Sequence, residues 1–178
     1  MRVLVAYTDD DGASADTARL IGATLGAHGL DSVVREVPAD RSGEGGGESG
    51  LGGFDAVVLG GPARGGHWPR RTVRFAMAQR QRLCRVPVWL FSNSPAGDAV
   101  APQQRIDISA VEDAVAALDH RPFLAAHPPG QPWTPHALEP DPGEVRSWAQ
   151  QIAAALRAGD PPPQNPSNDG PAAHARGH

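Results

Sequence analysis

The chain contains no lysine: all sixteen basic residues among its 178 are arginine. With Ala, Gly and Pro abundant, this is the mark of base composition rather than of function. A single cysteine, Cys84, excludes an internal disulfide framework and fits a reducing compartment. No stretch approaches the ~20 apolar residues that a membrane span requires. The first residues lack the basic, apolar and small-residue regions of a secretory signal. A cytoplasmic protein with no integral membrane segment is therefore expected. The formal net charge of −4 weighs against nucleic acid or anionic lipid as a partner across the whole surface. His120, His127 and His136 lack metal-ligand spacing, so no metal is assigned. The linear order of Ser, His and Asp suggests no catalytic triad.

What is present is an alternation of short apolar runs with helical patterns. Residues 2–7 read as a strand, and Ala13 to His28 as a helix with Ala18, Ile21, Gly22 and Leu25 on one face. Ser32–Val37 is a second strand. Pro38 to Gly53, rich in Gly, Ser and Glu, reads as a loop. Phe54–Leu59 is a third strand, followed by Gly60-Gly61-Pro62. Pro69 suits the first turn of a helix that runs to about Arg82. That helix sets Val73, Ala76, Met77, Leu83 and Cys84 on one face and Arg71, Arg74, Arg82 and Arg85 on the other. Its inner face makes Cys84 a small core residue. Val86–Phe91 is a fourth strand, apolar on both faces. A helix over 109–118, a strand Arg121–Ala126 and a helix Gly143–Arg157 complete a folded part of residues 1–158. Residues 159–178 read as a disordered, Pro-rich tail.

Strands that alternate with helices predict an α/β domain whose parallel sheet is covered on both faces, because parallel neighbours need crossover connections. Ligands of such sheets bind beyond the carboxyl ends of the strands. Three of those ends carry Gly, Ser, Thr or Pro loops: residues 8–14, 60–67 and 92–97. A strand that turns into a helix presents free backbone N–H groups to an anion. This turn also carries Asp9, Asp10 and Asp11. A carboxylate about 4 Å from a phosphate charge costs ~1 kcal/mol in water and ~4 kcal/mol near a protein surface. The three carboxylates suit either a hard cation or, as the favoured reading, the positive start of the helix.

The opening run MRVLVAYTDDDGASADTARLIGATL resembles the flavodoxin-domain proteins. FDAVVLGGPARGGHW with VPVWLFSNSPAGD is similar to the subgroup containing the menaquinone-dependent protoporphyrinogen oxidases. The resemblance implies a flavodoxin-like three-layer sandwich with a five-stranded parallel sheet in the order 2-1-3-4-5. It implies FMN as cofactor, with its phosphate held at Thr8, Gly12, Ala13 and Ser14, and Asp9, Asp10 and Asp11 lining the same loop. The isoalloxazine ring would sit between two loops. Gly61, Pro62, Ala63, Arg64, Gly65, His67 and Trp68 belong to the first; Ser92, Asn93, Ser94, Pro95 and Gly97 belong to the second. The family loop is hydroxyl-rich and often basic where this chain has Asp9-Asp10-Asp11, and Arg64 stands at a position that is often aromatic in the family.

Two functions follow as expectations. One is an FMN-dependent redox protein, an oxidoreductase if it is an enzyme, with a redox partner or a quinone as its counterpart and no side chain needed as catalytic acid or base. The other is a flavodoxin fold that has lost FMN and serves as a binding or regulatory module; the acidic loop is its support.

Overall fold

Strand β1, Arg2–Tyr7, sends Val3 and Val5 into one apolar layer and Leu4 and Ala6 into another, because successive side chains leave a strand on opposite sides. In this computed structural model, which describes residues 1–9, 12–37, 51–63, 67–94, 106–124 and 140–159, that alternation recurs along the central strands. The elements after β1 are α1 (Ala13–Ala27), β2 (Asp31–Glu36), β3 (Ala56–Pro62), α2 (Arg70–Leu83), β4 (Val88–Ser94), α3 (Ile106–Val115), β5 (Asp119–Leu124) and α4 (Pro142–Ala158). The strands form one parallel sheet in the order β2-β1-β3-β4-β5. The expected strand order is thus found. Register is set by pairs such as Val5 with Val34, Val5 with Val58, and Leu90 with His120.

Helices α1 and α4 cover one face. Ile21, Leu25, Trp148 and Ile152 pack there on Val3, Val5, Phe91 and Phe123. Helices α2 and α3 cover the other, where Ala76, Leu83, Val111 and Val115 meet Leu4, Val57, Leu59 and Leu90. Burial on both sides is why β3 and β4 are buried along their whole length.

Several expected boundaries move. Strands β3 and β4 each run three residues further than their apolar letters suggest. Gly60, Gly61 and Pro62 pair with Phe91, Ser92 and Asn93. Polar and glycine residues stay in the ladder because β4 continues beside Gly61 and Pro62, and β5 beside Ser92, Asn93 and Ser94. Strand β5 and helix α3 begin earlier than read, and β2 spans Asp31–Glu36. Cys84 is a correction. It is exposed, just past the end of α2, with its thiol donating to the Ala114 carbonyl at 3.2 Å. Met77, also expected inside, is 38% exposed. The buried stripe of α2 is centred on Thr72, Ala76 and Leu83 instead. The loop expected over Pro38–Gly53 lies outside the described residues except for Leu51–Gly53, and the tail lies outside them beyond Gly159.

Candidate functional site

The carboxyl ends of β1, β3 and β4 lie side by side, and hydrogen bonds knit them together. Thr8, fully buried after β1, donates its N–H to the Gly60 carbonyl at 3.0 Å. Its hydroxyl pairs with that of Thr72 on α2 at 2.7 Å. Gly61 lies against the same threonine: a Cβ there would overlap Thr8 Oγ1. Ala63 donates to the Asn93 carbonyl at 2.7 Å. Asn93 Nδ2 reaches across to α1, donating to the Ala13 carbonyl at 3.0 Å and to Thr17 Oγ1 at 2.9 Å. The three segments expected to form one site therefore meet at one end of the sheet wherever they are described.

The turn between β1 and α1 is closed by its own acid. Gly12 adopts a left-handed conformation, φ 93°, which glycine adopts without a Cβ penalty. Its N–H donates to Asp9 Oδ1 at 2.8 Å, and the Ala15 N–H, in the first turn of α1, donates to Asp9 Oδ2 at 3.1 Å. The Asp9 carbonyl accepts from Arg71 Nη2 on α2. The carboxylate thus takes amides that a helix start leaves unsatisfied. Beneath this turn, Ser14 Oγ and Asn93 Oδ1 are buried and have no hydrogen-bond partner among the described residues.

Trp68, buried ahead of α2, is held by a chain of polar groups. Its Nε1–H donates to Ser92 Oγ at 3.1 Å, and that oxygen lies 2.6 Å from His120 Nε2. His120 Nδ1 lies 2.8 Å from Glu112 Oε1 on α3. The indole is donor only, so Ser92 Oγ accepts from it, and the same oxygen shares a second hydrogen bond with His120 Nε2. The imidazole also meets the indole edge-on, with centroids 6.2 Å apart. Sequence inspection assigned His120 and Glu112 no role. They stand on different elements from Ser92 and show no local spacing that would reveal them.

Of the expected site residues, Thr8, Asp9, Gly12, Ala13, Ser14, Gly61, Pro62, Ala63, Trp68, Ser92, Asn93 and Ser94 gather at this end of the sheet, and His67 is exposed beside Trp68. Asp10, Asp11, Arg64, Gly65, Pro95 and Gly97 lie outside the described residues. A cavity of about 340 Å³ opens elsewhere, between β5 and α4, lined by Arg121, Asp141, Glu144 and Trp148 among others. It shares no residue with the three segments. No helix among the described residues is long and apolar enough to cross a membrane.

No family model and no curated protein matches the chain by sequence. Solved structures do match by shape. A cysteine-to-serine mutant of the flavodoxin from Pseudomonas aeruginosa superposes with a TM-score of 0.59 at 17% identity, over 88% of this chain and 99% of that one. A flavodoxin from the domain Archaea gives 0.60 at 16% identity, over 88% and 99%. Rubredoxin oxygen:oxidoreductase from Desulfovibrio gigas gives 0.61 at 14% identity over 88% of this chain, which spans only 36% of that longer protein. Identities this low speak for architecture alone, and with the strand order and the paired helix layers they show that the chain has a flavodoxin-like fold.

Proposed function

We propose that the chain is a flavin-binding redox protein that holds its cofactor at the carboxyl end of the sheet, between the segments following β1, β3 and β4. The observation that carries this reading is the convergence of those segments, through Thr8 to Gly60, Ala63 to Asn93 and Asn93 to Ala13. Open parallel sheets place their ligands at this end. The resemblance read in the sequence supports FMN as the flavin, and at Gly66–Trp68 and Val88–Ser92 it points toward the protoporphyrinogen-oxidising subgroup. A redox protein or a quinone would be the electron partner. A bound flavin supplies the electron transfer, and the protein supplies placement and electrostatics. Trp68, anchored through Ser92, would form one wall.

The test is direct. Protein purified without added cofactor is examined for flavin absorbance in the visible, then titrated with FMN and with riboflavin while tryptophan emission is followed. Saturable quenching at micromolar flavin is expected. A colourless protein indifferent to millimolar amounts of both would falsify the reading.

The capped turn at Asp9 favours a second reading, a binding or regulatory module built on the same fold without a cofactor. The same titration separates the two, since the module predicts no response to either flavin.

A further inference from the structure

The start of α1 does not fit a phosphate. A phosphate monoester at neutral pH carries nearly two negative charges and presents oxygens that accept hydrogen bonds. In this chain the Gly12 and Ala15 amides are already taken by the Asp9 carboxylate. The neighbouring Thr8 hydroxyl is spent on Thr72. A phosphate would have to displace a covalently tethered carboxylate or sit against it. Two more carboxylates, Asp10 and Asp11, are adjacent in sequence. The unanswered groups under the turn ask for a different chemistry. Asn93 Oδ1 can only accept, because its amide nitrogen is committed to Ala13 and Thr17. Ser14 Oγ can do either. A buried acceptor without a partner is costly, and a ligand hydroxyl would answer it where a phosphate dianion would not.

We infer that Asp9 is a built-in occupant of the anion seat, so that the site rejects phosphate monoesters and takes its ligand by an uncharged, hydroxyl-bearing end. Resting on the flavin reading above, the inference names the preferred form: the phosphate-free flavin, riboflavin, over FMN. Removing the Asp9 charge therefore uncovers two amides at the start of α1, where the helix dipole favours an anion.

Two measurements test this. In the first, inorganic phosphate is titrated into full-length protein while the Gly12 and Ala15 amide resonances are followed by ¹⁵N–¹H NMR. In the wild type both should stay still at millimolar phosphate. In Asp9→Ser both should move and saturate, with affinity raised about ten- to a thousandfold, the range expected for one like charge about 4 Å away. Asp9→Asn keeps a capping oxygen but removes the charge, and serves if Asp9→Ser does not fold. Should the single variants stay silent, the triple change of Asp9, Asp10 and Asp11 to Ser, Lys and His decides. Phosphate shifts in the wild type, or none in any variant, overturn the inference.

In the second measurement, riboflavin and FMN are compared on the same proteins. Riboflavin should bind the wild type at least about tenfold more tightly, and neutralising Asp9 should shrink or reverse the ratio. FMN binding the wild type as tightly as riboflavin overturns the proposal while leaving the flavin reading intact. If neither flavin binds, the flavin reading falls with its riboflavin preference, and the phosphate titration still decides whether Asp9 guards the seat.

Discussion

Ser92 Oγ lies 2.6 Å from His120 Nε2, and His120 Nδ1 lies 2.8 Å from a Glu112 oxygen. The order of groups is that of the serine–histidine–carboxylate arrangement of acyl-transfer enzymes. Its surroundings are not. Ser92 is 1% exposed, and its oxygen accepts the Trp68 indole N–H at 3.1 Å. A nucleophile needs a free approach, and this hydroxyl is enclosed and engaged on both sides. The chain of groups therefore holds Trp68 in place.

Two results follow from that relationship. A fluorophosphonate probe should leave Ser92 unlabelled in the native protein, as read by peptide mass mapping. Ser92→Ala should cost about 1–3 kcal/mol in urea unfolding, because a buried indole N–H loses its acceptor. Labelling of Ser92 would instead make it an accessible nucleophile.

Gly61 and Thr8 are in contact across the β1–β3 pair, with no room for a Cβ on the glycine. Gly61→Ala should destabilise by about 1–3 kcal/mol through overpacking. In a Thr8→Ala background, which removes the obstructing hydroxyl, the penalty should fall. A double-mutant cycle from chemical denaturation measures the difference, and strict additivity would refute the contact.

Trp148 Nε1 donates to Asp119 Oδ2 at 2.7 Å, tying α4 to the start of β5. Asp119→Ala should lower stability by about 1–3 kcal/mol, while Asp119→Asn, which keeps an acceptor oxygen, should lose less. Equal losses in the two variants would show that the bond contributes nothing.

Helix α2 carries exposed Arg70, Arg74, Arg80 and Arg82, Arg85 follows just beyond its end, and Met77 between them is 38% exposed. No carboxylate among the described residues is ion-paired with these arginines. Five exposed arginines within residues 70–85 make this segment locally basic on a chain whose net charge is negative. Replacing Arg70, Arg74 and Arg85 by Glu should change stability by no more than about 0.5 kcal/mol. It should advance elution from a sulfonate cation exchanger more than the same change at Arg19, Arg146 and Arg157. Equal advances would mean that only net charge matters.

Cys84 is exposed at the end of α2. A thiol reagent such as DTNB should titrate it fully in the native protein, without denaturant. Cys84→Ser should change stability by no more than about 0.5 kcal/mol. A thiol that reacts only after unfolding would place it back in the core.

The alternation of apolar runs with helical patterns was legible residue by residue, since strand and helix periods are local properties. So were the three strand ends that carry Gly, Ser and Thr. The limits of β3 and β4 were not. Gly60-Gly61-Pro62 and Ser92-Asn93-Ser94 look like turn residues alone, and only pairing with the strands beside them keeps them in the sheet. Cys84 and Met77 were misplaced for a related reason. The inner face of α2 is chosen by how the helix lies on the sheet, and a small rotation moves both outward.

Sequence alone determined the class of fold and which end of the sheet holds the polar loops, because both follow from the order and spacing of apolar residues. The strand order came only by resemblance, and the tertiary structure established it. Tertiary structure alone decided what the loop residues do. It turned Asp9 from one of three acids into the cap on two amides, and it joined Trp68, Ser92, His120 and Glu112, which stand on four separate segments. Hydrogen bonds act over about 3 Å, and only folding brings groups so far apart in the chain within that reach.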